Sequence, residues 1–434
     1  MIETENFATQ TEKIMADRKF INDLDKNNDF AQMVKLLYGE DKFDYQVGRY
    51  REIYDKHSAK YGEGGAFYSS PGRIEVCGNH TDHNNGKVLC ASISVDTIAC
   101  VTPCEDKIVV ESIGFSPVEV KLNDLEARKE EYGNAVALVR GVCSYFKKRG
   151  LNIGGFCATT TSDVFRGAGV SSSACFEVLI CEILNVMFND GKIDKVTKAR
   201  ASQFAENVYF GKPCGLLDQS AISLGGVSYI DFKSIKNLKI QTIDWNFDGM
   251  DIVLTNTGGD HSDLTEQYAA IREEMEGVAN VFGKKKLREV NEKAFYENIE
   301  NIQENVSGRA ILRAMHYFDE NKRVDACAKA VKNANEKKFC AAINESGASS
   351  YLMLQNCYPL GDTVQRIPLA INLSKKIDGV KAVRVHGGGF AGTIIAYVDK
   401  NKRDNYVEKM RSVFGKDNVF VIGVRNEGTC KVFD

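Results

Sequence analysis

Strand-like and helix-like runs along this chain of 434 residues predict a protein that mixes helix and sheet, long enough for more than one domain. Short apolar and β-branched runs read as strands: IACVTPC (98–104), KIVVES (107–112) and GGFCATTTS (154–162) in the first half, and 251–256, 382–385 and 393–398 in the second. Between the two groups, residues 266–282 and 301–333 repeat apolar positions at helical spacing among many charges, so they read as helices with solvated faces. A chain of this length can also bury two or three cores.

Taken in order, residues 1–45 read as helices and polar connections, a helical extension before two larger units. The opening MIETENFATQTEK is acidic and polar, unlike a signal peptide. Thirteen cysteines without a CxxC pair point to free thiols in a reducing cytoplasm. A formal charge of −3 offers no basic footprint for nucleic acid, and Asp96 interrupts LCASISVDTIACVT, so no membrane partner is expected either. The charged stretch SIKNLKIQTIDWNFDG places the boundary between units 46–240 and 241–434.

Three glycine-marked segments carry the chemistry. SSPGRIEVCGNHTDHNNGKVL sets Arg73, His80, Asp82 and His83 among Gly72, Gly78 and Gly86. Glycine admits backbone close to a ligand, and an Arg beside short polar side chains can hold a hydroxylated, partly anionic substrate; a polar turn explains the segment equally well. No nearby Cys or Glu completes a transition-metal site with the His80–His83 cluster. In SDVFRGAGVSSSACFEVLICEIL a glycine turn runs into three serines and a helix beginning near Ala174, which suits phosphate, or a serine cap on a buried helix. No GKS or GKT follows, so it is not a Walker loop. AVRVHGGGFAGTIIAYV, with glycines at 387–389 and 392, reads as a tight connection between strands.

Together and in this order, the three segments resemble the signatures of the GHMP small-metabolite kinases, which include galactokinase, homoserine kinase, mevalonate kinase and phosphomevalonate kinase. Within that group the chain looks like the galactokinase branch, whose first motif is an Arg followed by Gly-Glu-His-Thr-Asp-Tyr and whose nucleotide motif is Gly-Leu-Ser-Ser-Ser-Ala. Residues 213–219 (PCGLLDQ), His261-Ser262 and Tyr268 match as well. The resemblance implies a two-domain α+β fold with the site in the interdomain cleft. It also implies transfer of the γ-phosphoryl of ATP to the anomeric hydroxyl of galactose.

The resemblance assigns roles residue by residue. Asp218 corresponds to the catalytic Asp, which accepts the sugar hydroxyl proton or orients that hydroxyl, and Arg73 to the catalytic Arg beside it, which stabilises charge on the moving phosphoryl group, although a buried ion pair would use the same two residues. Asn79, His80, Thr81, Asp82, Gly215 and Tyr268 fall at sugar-binding positions. Gly167, Ala168, Gly169, Val170, Ser171, Ser172 and Ser173 fall on the ATP phosphates, with Ser112 a further nucleotide contact. Ser173 and Glu206 match the Mg²⁺ ligands, both hard oxygen donors. The partners implied are a sugar and ATP, the state a monomer or weak dimer.

The chain departs from the galactokinase pattern at several positions. Asn79 replaces a Glu expected to face the sugar C6 hydroxyl, and Glu75 replaces an Asn. His83 stands for Tyr, Phe165 for Pro and Ala391 for Gly. Loss of the carboxylate at 79, the His80–His83 pattern and the Ser346–Ser350 run make galacturonate the alternative substrate. A sugar- and ATP-sensing regulator is a further alternative.

Overall fold

The computed structural model describes residue 21 and residues 23–164, 169–212, 214–234, 236–258, 264–390 and 392–434. Among them are twelve strands: β1 (Ala66–Cys77), β2 (Lys87–Pro103), β3 (Lys107–Ser112), β4 (Val118–Lys121), β5 (Phe156–Ser162), β6 (Val227–Asp231), β7 (Lys239–Ile243), β8 (Met250–Asn256), β9 (Val380–His386), β10 (Thr393–Asp399), β11 (Val419–Ile422) and β12 (Cys430–Phe433).

The first sheet runs β12-β1-β2-β5-β3-β4 and branches at β2. That strand is 17 residues long, and β1 pairs along one edge while the other edge serves β6 at Lys87–Ala91 and β5 at Thr97–Pro103. Side-chain alternation shows why the sheet needs helices on both faces. Phe67, Ile98 and Cys100 pack with Phe30, Val34, Tyr50 and Ile53 of the helices Asn28–Tyr38 and Phe43–Tyr61. Their neighbours Tyr68, Ala99 and Val101 pack with Val142, Phe146, Leu179 and Ile183 of the helices Ala135–Lys148 and Ser172–Phe188.

The second sheet is antiparallel, β11-β8-β10-β9. One face packs Val383, Val385, Ile394 and Ala396 against Ile367, Ala370 and Tyr406. The other packs Leu254, Ile395 and Tyr397 against Val331, Phe339 and Ile343 of the helices Gly308–Lys332 and Glu336–Ser349. That same core continues into Ile74, Val76, Leu89, Ala174 and Val178 of the first sheet and its helix. At about 1.5–3 kcal/mol per fully buried aliphatic side chain, this shared core ties the two sheets firmly together.

The structure differs from the sequence reading in three places. Residues 239–243, at the expected boundary, are β7 and pair with β6 in the first sheet, and β12 brings the chain end back to β1. The helical run 301–333 is two helices, Ile299–Asn305 and Gly308–Lys332, because Val306 is extended and the Ser307 hydroxyl accepts from Ala310 N–H at 3.2 Å to start the second. The N-terminal helical extension does not end at 45: after a break at Gly39, whose φ of 86° lies in the left-handed region, the helix Phe43–Tyr61 runs across that boundary. Among the described residues no helix is long and apolar enough to cross a membrane.

Candidate active site

Arg73 enters from β1 and Asp218 from the first turn of the helix Leu217–Leu224. Arg73 Nε donates to Asp218 Oδ1 at 2.7 Å and Nη2 to Oδ2 at 2.8 Å, a two-pronged, charge-assisted pair. The third nitrogen, Nη1, donates to the Gly169 carbonyl, and the Ser171 hydroxyl donates to Asp218 Oδ2. Burial alone would raise the Asp218 carboxyl, but the Arg73 charge and hydrogen bonds, with Ser171, hold it below the usual carboxylate range. The Asp218 side chain is still 36% exposed, so its carboxylate is accessible from the cleft.

The glycine–serine turn is built for close approach. Gly169 has φ 68° and Ser171 φ 60°, a conformation L residues adopt only at a cost, and the helix starts at Ser172. Its first-turn N–H groups and dipole suit phosphate. The Val170 side chain is buried and its carbonyl accepts from Arg73 N–H at 3.3 Å, so it anchors the turn. Gly167 and Ala168 lie outside the described residues, as do Phe165, His261, Ser262 and Ala391. Ser112 ends β3, on the far side of β5 from β2, and accepts from Thr160 Oγ1 at 2.8 Å.

Glu206 sits in a π-helical turn, Ala205–Phe210, that turns its carboxylate toward Ser173. Oε1 accepts from Ser173 Oγ at 3.1 Å and from Lys212 Nζ at 3.1 Å; Oε2 accepts from Gln219 Nε2 at 2.8 Å. Beside it lies Glu177, one helical turn after Ser173, fully buried with neither carboxylate oxygen partnered. Burial and the Glu206 charge push the Glu177 carboxyl well above its usual range. Sequence reasoning passed over Glu177 and Lys212; the signal was a lone acid in the apolar helix run ACFEVLI. Among the described residues no three His, Cys, Asp or Glu converge on a metal position. Two oxygen donors, Glu206 and Ser173, fit Mg²⁺, which takes few protein ligands and completes its shell with phosphate and water.

The 79–83 turn and the third glycine segment form a second wall of the site, the glycine segment lying beside Gly169. The carbonyls of Gly387, Gly388 and Gly389 accept from Asn79 Nδ2 at 2.6 Å, His80 Nε2 at 3.0 Å and Tyr268 OH at 3.2 Å, respectively. A side chain at 388 would meet Tyr268 Cε1 at 2.6 Å, which is why glycine stands there. Because a carbonyl only accepts, His80 carries its proton on Nε2 and its Nδ1 accepts from His83 Nε2 at 3.1 Å. Burial drops the His80 imidazole to about 4, so it is neutral at physiological pH. Asp82 faces Gly215 so closely that a Cβ there would meet its Oδ2 at 1.8 Å. Burial, then the Asp218 and Glu75 charges, raise the Asp82 carboxyl to about 6.

Two expected sugar ligands are placed behind this wall. Thr81 is fully buried and its hydroxyl bonds the carbonyls of Gly78 at 3.0 Å and Lys87 at 2.6 Å, closing the turn. Asn79 is also fully buried: Nδ2 donates to Glu75 Oε1 at 3.0 Å, and Oδ1 accepts from Asn356 Nδ2 at 2.8 Å and Ser350 Oγ at 3.2 Å. No edge of its amide remains for a ligand.

A family model described as the galactokinase galactose-binding signature matches residues 55–103, and one for the GHMP kinase N-terminal domain matches residues 137–226. A galactokinase of Clostridium beijerinckii is 30% identical over 379 residues, which cover 84% of this chain and 94% of that protein. Human galactokinase is 27% identical over 83% of this chain and 90% of its own length. The structure of Lactococcus lactis galactokinase complexed with galactose superposes with a TM-score of 0.78 at 25% identity, over 88% of this chain and 99% of that one. A mevalonate kinase shares the fold at a TM-score of 0.59 and 13% identity, over 83% of this chain and 99% of that one. The chain belongs to the galactokinase family.

Proposed function

We propose that this protein transfers the γ-phosphoryl group of ATP to the C1 hydroxyl of galactose, giving galactose 1-phosphate and ADP. The observation that carries the reading is the Arg73–Asp218 pair with Ser171, at the mouth of a helix start suited to phosphate. A carboxylate held ionised accepts the proton of the sugar hydroxyl as that oxygen bonds to phosphorus and the bond to ADP breaks. Transfer of this kind rests on positioning and charge stabilisation, and Arg73 fixes Asp218 in place with two hydrogen bonds. Ser173 and Glu206 would hold Mg²⁺, which supplies positive charge to the phosphates when bound. Asp82, His80 and Tyr268 would line the sugar.

The carboxylates favour a neutral sugar. The galacturonate alternative rests on an uncharged residue 79, the His80–His83 pattern and the Ser346–Ser350 run; against it, Asn79 is buried and fully bonded, Glu75 beside it is paired with Arg384, and Asp82 and Asp218 bring carboxylates to the site. A C6 carboxylate would meet like charge in a partly desolvated pocket. Retention of Asp218, Arg73, Ser173 and Glu206 favours an enzyme over a sensing regulator. For the chain's organisation we propose a cytoplasmic monomer or weak dimer, with a helical extension followed by two units built on the two sheets, the first of which takes back β12. An ATP-consumption assay across galactose, galacturonate, glucose and N-acetylgalactosamine tests the reading: galactose should give the highest kcat/KM, and turnover of none of them would refute it.

A further inference from the structure

The proposed transfer needs positive charge that can follow the phosphoryl group, and Arg73 is poorly placed to provide it. All three of its guanidinium nitrogens are committed, two to Asp218 and one to the Gly169 carbonyl. Lys212 differs. Its backbone is fixed, since its N–H donates to the Glu206 carbonyl at 3.1 Å at the end of the π-helical turn and Gly211 before it has φ 81°. Its side chain is 62% exposed, against 3% for the Glu206 it pairs with. The result is a flexible cation on a rigid base, six residues from both Glu206 and Asp218.

Its present partner is also one it must give up. Lys212 Nζ and Ser173 Oγ both donate to the same oxygen, Glu206 Oε1. A divalent cation bound by Ser173 and Glu206 needs that oxygen and repels the ammonium. With that oxygen taken, the ammonium is left to face Asp218, six residues on, and the phosphates: Asp218 and Lys212 each favour the other's charged form, while buried Glu177, which Lys212 also feels, is pushed toward its neutral form.

We infer that Lys212 is a further catalytic residue: it neutralises Glu206 until metal and nucleotide bind, then passes to the phosphoryl group being transferred. The exchange spares the site a bare carboxylate in one state and supplies a mobile positive charge in the other. This rests on the kinase reading above, and one of the two readouts does not.

The test compares wild type with Lys212→Met and Lys212→Arg. At saturating Mg²⁺, ATP and galactose, Lys212→Met should lose at least tenfold in kcat, on the scale of removing one charge-stabilising donor, while Lys212→Arg keeps most of the rate. Mn²⁺ titration by electron paramagnetic resonance, without nucleotide, should show several-fold tighter metal binding in Lys212→Met, because its competitor for Glu206 is gone. A merely structural ion pair would leave saturated kcat untouched. Loss of less than tenfold in kcat, or Mn²⁺ affinity unchanged or weakened, overturns the inference. If the wild type turns over none of the sugars, the kinase reading fails and the Mn²⁺ titration alone decides whether Lys212 competes with metal. Thermal melts confirm that each variant is folded, and Lys212→Gln replaces Lys212→Met if that variant is not.

Discussion

Asn79 Nδ2 donates to Glu75 Oε1 at 3.0 Å, so two of the positions at which this chain departs from the galactokinase pattern touch one another. Read separately, Asn for Glu at 79 removes a charge and Glu for Asn at 75 adds one. In the structure they are an exchange: the carboxylate stands at 75 on β1 and not at 79 in the turn that follows, and the two side chains are bonded to each other. Arg384 Nη2 meets Glu75 at 2.6 Å, and the pair is buried between β1 and β9. Removing one partner of such a pair leaves an uncompensated buried charge.

The exchange predicts strong coupling. Asn79→Glu alone should destabilise by several kcal/mol, because it sets a second carboxylate against Glu75 in a buried site. Glu75→Asn alone should cost about 3–5 kcal/mol by stranding Arg384. The double variant Glu75→Asn/Asn79→Glu should recover at least about 1 kcal/mol over the sum, read as a coupling energy from urea unfolding of all four proteins. Additive effects would show that the two positions are independent.

Much of the site was legible in the sequence because it is local. Arg73, the serine turn, Glu206 and Asp218 each sit in a short motif, and β3, β8 and β10 are clean apolar runs. What was not legible depends on long-range partners. β1 reads as a polar turn because its end carries Arg73 and Glu75, whose charges are met by Asp218 and Arg384, 145 and 309 residues away. β12 is four residues long and is a strand only because β1 offers an edge to it. Thr81 and Asn79 look like ligands in a motif, and only the fold reveals that backbone carbonyls and Glu75 already hold them.

Asp218→Asn should lower kcat at least about a hundredfold, since the amide keeps the shape but cannot accept the sugar proton. Binding should persist. Isothermal titration with galactose and with AMP-PNP should give dissociation constants within about threefold of wild type, a difference under about 0.7 kcal/mol. Retention of more than a tenth of kcat would remove Asp218 from the proton path.

Asp82 should trade stability for binding. Its carboxyl is raised from 3.8 to about 6, so between those values the folded protein holds a proton that the unfolded chain releases. The sign follows: stability is lost as pH rises through that window. Asp82→Asn should therefore raise Tm at pH 7.5 and raise it less as pH falls toward 4, read by differential scanning fluorimetry. In the wild type, KM for galactose should rise as pH falls below about 6, because the protonated acid accepts sugar hydroxyls poorly. An Asp82→Asn protein no more stable than wild type at pH 7.5 would show that its burial is relieved in another way.

Glu206→Gln should raise the Mg²⁺ concentration needed for half-maximal rate, because a neutral amide is a poor ligand for a hard cation. The two oxygens of Glu206 already collect three donors, from Ser173, Lys212 and Gln219, which shows how strongly negative the position is. Replacing the carboxylate also leaves the ammonium of Lys212 without its partner and lowers the like-charge pressure on buried Glu177. Stability should therefore change little while metal dependence changes several-fold. The galactose KM, if Asp82, His80 and Tyr268 line the sugar as proposed, should stay within about twofold, roughly 0.4 kcal/mol. Initial rates across a Mg²⁺ series at fixed ATP and galactose give both quantities, and an unchanged Mg²⁺ requirement would make Glu206 a structural carboxylate that only orders Ser173, Lys212 and Gln219.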